Sequence, residues 1–76
     1  MTHDLTPETV ALVDGLQLRS RILAPERSWW WPLLLRLSQE GLVLIRQENE
    51  RGISSARIAW TQAGAEAARP VRGDSP

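Results

Sequence analysis

The side chains able to do chemistry in this 76-residue chain are nine arginines, nine carboxylates, one histidine and four tryptophans; lysine, cysteine, tyrosine and phenylalanine are absent. Arginine forks suit phosphate and carboxylate partners, which they grip with two parallel hydrogen bonds. A GC-rich codon bias gives the same all-arginine composition, so composition alone does not assign that role. With a formal net charge of zero, a basic face can arise only by segregating cations from anions. The absence of cysteine removes disulfides and thiolate zinc sites. His3 stands near the N-terminus with no carboxylates clustered beside it. Glu48 and Glu50 sit together at one strand end, where no cleft for acid–base work is implied. No glycine-rich phosphate loop, nucleophile elbow or metal-ligand spacing is present. The expectation is a non-enzyme without a cofactor, metal site or small-molecule substrate.

The elements that must position these residues are few. Thr6-Pro7-Glu8 starts a helix: a capping hydroxyl, a proline suited to the first position, and an acid at the positive end of the dipole. Val10, Leu12, Val13, Leu16 and then Leu23 keep helical spacing, which predicts a helix from about Pro7 to Ile22, stopped before Pro25. A short helical turn follows at Pro25, with a break near Trp30 or Trp31. A second main helix is predicted from Pro32 to Gly41, the alternative being one continuous helix kinked at Pro32. Leu42–Ile45 begins a strand, Asn49–Gly52 is a polar turn, and Ile53–Trp60 alternates as a second strand. The expected hairpin pairs Val43–Glu48 with Ser54–Trp60. Thr61 caps a short helix, Gln62–Arg69, ended by Pro70. One domain is expected over residues 6–69, with a leader at 1–5 and a flexible tail at 70–76. The longest apolar runs are too short to cross a bilayer and no secretory signal is visible, so a soluble cytoplasmic domain is expected.

Helix, turn, helix ending in Gly41-Leu42-Val43, hairpin, Thr-capped helix is the order of a winged helix-turn-helix. The segment Trp31-Pro32-Leu33-Leu34-Leu35-Arg36-Leu37-Ser38-Gln39-Glu40-Gly41-Leu42-Val43 resembles the recognition-helix signature of PadR-like regulators. Trp60-Thr61-Gln62-Ala63-Gly64 is similar to the motif that closes the wing in PadR-like and MarR-like regulators. Together they cover residues 31–69, about half the chain. The resemblance implies an α+β fold with two main helices, a two-stranded wing hairpin and a short C-terminal helix. It also implies a small DNA-binding transcriptional regulator, of phage or mobile-element type given its size. The chain departs from the family in two places. Pro25–Trp31 is too short for the full helix that precedes the recognition helix. The long C-terminal dimerisation helix has no counterpart.

Two sets of site residues follow. For double-stranded DNA, Arg36 and Gln39 would face base edges, and Arg46, Arg51 and Arg57 would sit on phosphates; this needs the arginines on one side with Glu40, Glu48 and Glu50 elsewhere. The plainer expectation for the hairpin is that its arginines pair with Glu48 and Glu50 in solvent. The alternative function is a protein-binding module, an accessory subunit or inhibitor of a larger complex, or a self-associating chain. It would dock through Trp29, an exposed Leu33 and Leu44. Three consecutive indoles cannot share one side of a helix or strand, so Trp30 and Trp31 are expected inside and Trp29 outside. One of Leu44 and Ile45 should complete the core, with the other covered by the N-terminal segment. The remaining core is predicted to be Leu16, Leu34, Leu37, Leu42, Ile58 and Trp60, with Leu12 or Val13.

Overall fold

Thr6 caps the first helix, α1 (Pro7–Gln17): its Oγ1 accepts a hydrogen bond from the Thr9 N–H at 3.1 Å. The structure, a computed structural model, describes residues 5–73; the expected leader (save Leu5), His3 and the end of the expected tail lie outside them. Val10, Val13 and Leu16 form the buried stripe of α1. The helix stops five residues short of the expected Ile22. Ile22–Leu23 instead forms a short strand, β1, with Ile22 opposite Ala56 and Leu23 opposite Ser55. Strand alternation then sends Ile22 into the core and leaves Leu23 exposed. The helical spacing of Leu23 was therefore coincidental, and sheet pairing overrides it.

Ala24 adopts a left-handed conformation (φ 48°) and leads into a 3-10 turn at Pro25–Arg27. Its N–H donates to the Ser54 carbonyl at 2.9 Å, which ties this turn to the sheet. Helix α2 (Trp31–Gln39) begins after the turn as a separate helix, with Pro32 in the first turn where its missing N–H leaves no gap. Trp30 and Trp31 are buried edge to face, 6.1 Å between ring centroids, and Leu34 and Leu37 are fully enclosed. Leu33 was expected outside; it is half-buried and packs on the core, while Leu35 is the more exposed leucine of this helix. Gly41, at φ +77°, turns the chain out of α2.

Strands β2 (Val43–Glu50) and β3 (Ile53–Trp60) pair antiparallel along their whole length, from Val43 opposite Trp60 to Glu50 opposite Ile53. β3 has the expected bounds, whereas β2 runs two residues further toward the tip than the sequence predicts, so that Glu50 pairs with Ile53. The turn shrinks to Arg51-Gly52, whose φ values of 55° and 80° match the twist of a two-residue hairpin turn. The sheet has three strands in the order β1-β3-β2, against the two expected.

Thr61 caps α3 (Gln62–Arg72) through its Oγ1, which accepts from the Gly64 N–H at 3.0 Å. A side chain at Gly64 would meet the Leu42 carbonyl oxygen, so only glycine lets α3 approach this closely. Pro70 was expected to end this helix, but α3 passes through it to Arg72 and stops at the left-handed Gly73. Proline removes a single donor so near the end, and the Arg72 side chain anchors the last turn to α1, bonding Asp14 at 2.7 Å and 3.1 Å. Residues 70–72 are thus helix and not tail.

The core joins Val13 and Leu16 of α1, the two indoles and two leucines of the α2 region, and Leu42, Val43, Ala56 and Ile58. Ile45 packs partly against it, leaving Leu44 outside. Leu5 also packs on this core and so does not cover Leu44. Trp60 was expected to be buried; it is half-buried because its indole reaches outward to Asp14. The whole is an α+β fold of three helices and a three-stranded antiparallel sheet.

Candidate functional site

Period-two alternation divides the sheet into two faces. Val43, Ile45, Ala56 and Ile58 belong to the core face, so Leu44, Arg46, Glu48, Ser55 and Arg57 belong to the outer face. Arg46 stands directly opposite Arg57. Like charges facing each other across an antiparallel pair are destabilising. Arg21, just before β1, lines the same cleft of about 190 Å³ together with Glu48, Ser55 and Ala56. Ser55 is only 4% exposed and forms part of the floor. The cleft is smaller than the roughly 300–1,000 Å³ that takes a drug-sized ligand; it suits a single anionic group.

Among the described residues, Arg21, Arg46 and Arg57 have no ion-pair partner, and neither have Glu48 and Glu50. The expected pairing of hairpin arginines with Glu48 and Glu50 is therefore not formed. Three guanidinium groups and one carboxylate leave the cleft cationic.

The expected DNA-facing residues are divided. Arg46 and Arg57 share the outer sheet face. Arg51 is at the hairpin tip, held in a left-handed conformation. Arg36 and Gln39 are exposed on α2, which packs on the core side of β2. The thickness of the sheet separates these two groups. Glu48 shares the cleft with the arginines, so the full segregation of charge that the DNA reading calls for is not found. The expected docking patch is divided too. Trp29 is 79% exposed in the turn before α2, Leu33 leans on the core, and Leu44, 54% exposed, belongs to the outer sheet face.

Arg21 is the cleft residue that sequence reasoning missed. Its signal was hidden by the assignment of residues 18–22 to a helix; once Ile22 is read as a strand residue facing inward, Arg21 falls on the outer face beside Arg57. A second missed cluster joins α1, β3 and α3. Asp14 accepts from the Trp60 indole N–H at 2.8 Å and from Arg72 at two positions, while the Arg72 guanidinium lies 5.9 Å from the Trp60 ring centroid. The Arg72 hydrogen bond holds the Asp14 carboxyl below its ordinary 3.8; burial opposes this and the Trp60 hydrogen bond adds to it. This cluster clamps the fold and opens onto no cationic cleft.

Among the described residues no group of three His, Asp or Glu side chains is placed to hold a metal ion, and no helix is long and apolar enough to cross a membrane. The chain matches no protein family, no curated protein and no solved structure, and its functional reading rests on the site itself.

Proposed function

We propose that this chain is a small DNA-binding module of winged-helix type, PadR-like in its central motifs, that holds backbone phosphates with the outer sheet face and the hairpin tip. The carrying observation is the unpaired Arg46–Arg57 couple, extended by Arg21 into one cationic cleft. A phosphate there relieves like-charge repulsion and receives charge-assisted hydrogen bonds. The element order supports the winged-helix reading. The composition of α2 argues against base reading as the main source of affinity: its exposed side offers Arg36 and Gln39 beside Leu35 and Glu40. Binding of this kind is electrostatic and largely indifferent to sequence.

A salt titration against random duplex DNA tests this. Four phosphate contacts, from Arg21, Arg46, Arg51 and Arg57, give a log–log slope of about −3.6. Arg57→Ala flattens the slope by about one unit, whereas Arg36→Ala leaves it unchanged. Absence of binding at low salt, or equal effects of the two substitutions, overturns the proposal.

A second reading, docking on a protein, is favoured by one observation: Trp29 presents most of its indole to water. Buried aromatics dominate protein interfaces. Under that reading Trp29→Ala abolishes capture of the partner and Arg57→Ala does not; under the DNA reading the pattern reverses.

A further inference from the structure

β2 is an outer strand of the sheet, and among the described residues no strand pairs with its far edge. The direction of its backbone groups follows from the bonds of β3. On the side away from β2, the Ser54 carbonyl accepts from Ala24, Ala56 pairs with Ile22, and the Trp60 N–H donates to Gln17 Oε1 at 2.8 Å. Residues facing each other in an antiparallel pair either bond to each other or both point away. Asn49, Gln47 and Val43 stand opposite these three, and Ile45 follows by alternation. Their N–H and C=O groups therefore point outward. On β3, β1 with Ala24 and Gln17 meet such groups at Ser54, Ala56 and Trp60. Those of Ile45, Gln47 and Asn49 have no hydrogen-bond partner among the described residues.

Charged side chains commonly protect such an edge from pairing. On β2 the charges are self-complementary. When a second β2 is laid antiparallel with Gln47 opposite Gln47, the outward groups of Ile45 meet those of Asn49. The same register sets Arg46 opposite Glu48 of the second copy, twice over by symmetry. Outward groups stay matched only if the register moves by two residues. One such move sets Arg46 against Arg46; the other brings Arg46 opposite Glu50 of the second copy but sets Glu48 against Glu48. Only the Gln47-centred register pairs opposite charges with no like charges facing each other.

We propose that the open edge of β2 pairs with β2 of a second copy about a two-fold axis through Gln47, forming a continuous six-stranded antiparallel sheet. Such an interface uses the same patch on both chains. Arg46 and Glu48, which have no ion-pair partner among the described residues of the single chain, each gain one. Leu44 comes to lie against the alkyl stem of Glu50 of the second copy. Val43 is already buried, so the ladder runs from Leu44 to Glu50. One strand per chain is a small interface beside the roughly 1,200–2,000 Å² of standard ones, so association is micromolar or weaker. The dimer does not rest on the DNA reading; it takes up Arg46 and leaves Arg21, Arg51 and Arg57 in solvent.

Sedimentation of the full chain, without DNA, between about 10 μM and 1 mM tests the dimer. Arg46→Glu and Glu48→Arg each turn two attractive contacts into repulsive ones and weaken the dimer about tenfold or more. An equimolar mixture of the two variants regains wild-type association, because two acids on one strand then meet two arginines on the other. Gln47→Pro removes a donor at the centre of the new ladder without touching the β2–β3 bonds; it abolishes the dimer while the circular dichroism spectrum stays native. A wild-type chain that remains monomeric, single variants that associate like wild type, or a folded mixture that fails to recover each overturns the proposal.

Discussion

The carboxylate of Asp14 takes hydrogen bonds from Trp60 and Arg72, and so ties together residues far apart in sequence. Its pKa is lowered in the folded chain, chiefly by Arg72. A carboxylate of this kind adds stability above its unfolded pKa, and that share is lost as pH falls through the folded value. Asp14→Asn should therefore destabilise the chain at neutral pH, by up to about 1 kcal/mol because both partners are partly exposed. The gap between variant and wild type should close in urea melts as pH falls through the folded-state value, where the carboxyl becomes uncharged like the amide. A gap that persists there assigns the effect to the Trp60 hydrogen bond. This clamp was not legible in the sequence. Asp14 and Arg72 are 58 positions apart, and only the continuation of α3 through Pro70 brings them together.

At the scale of elements, the hairpin turn carries strain that sequence can relieve. Arg51 has φ +55°, a region costing about 1–2 kcal/mol for most side chains but readily occupied by asparagine. Arg51→Asn should raise the melting temperature by making an Asn-Gly turn. Under the DNA proposal it should also flatten the salt slope by about one unit. Stability and binding then move in opposite directions, and a calorimetric scan beside a titration separates them. The hairpin, the α2 stripe of Leu34 and Leu37, and both threonine caps were legible because each rests on local spacing. The strand β1 was not. Ile22 and Leu23 form too short a run for a period-two signal, and their identity as a strand is imposed by Ala56 and Ser55. The cationic cleft was half legible for the same reason: Arg46 and Arg57 follow from the hairpin, whereas Arg21 depends on β1.

For the molecule as a whole, a single core does all the work of folding. Domains hold roughly 0.05–0.15 kcal/mol per residue, so this chain's total is only a few to about ten kcal/mol. Leu37 is fully enclosed where α2 meets the rest of the core. Leu37→Ala should cost about 2–5 kcal/mol, which removes a large share of that total. A urea melt showing a change below about half a kcal/mol would contradict the packing described. With no second core to hold part of the chain, far-ultraviolet and fluorescence transitions should coincide.

The turn that leads into α2 has an optical consequence. It splits three adjacent indoles between water and core, with Trp29 in solvent and the other two edge to face inside. The fourth, Trp60, lies under the Arg72 guanidinium. In a chain without tyrosine or phenylalanine, every near-ultraviolet band belongs to one of these indoles. Iodide should quench Trp29 most strongly, spare Trp30 and Trp31 and reach the half-buried Trp60 in part, and Trp29→Phe should remove the most quenchable fraction. The emission of Trp29 is then a built-in gauge of whatever approaches the turn before α2, and the signal of Trp60 an independent gauge of whether α3 is still docked.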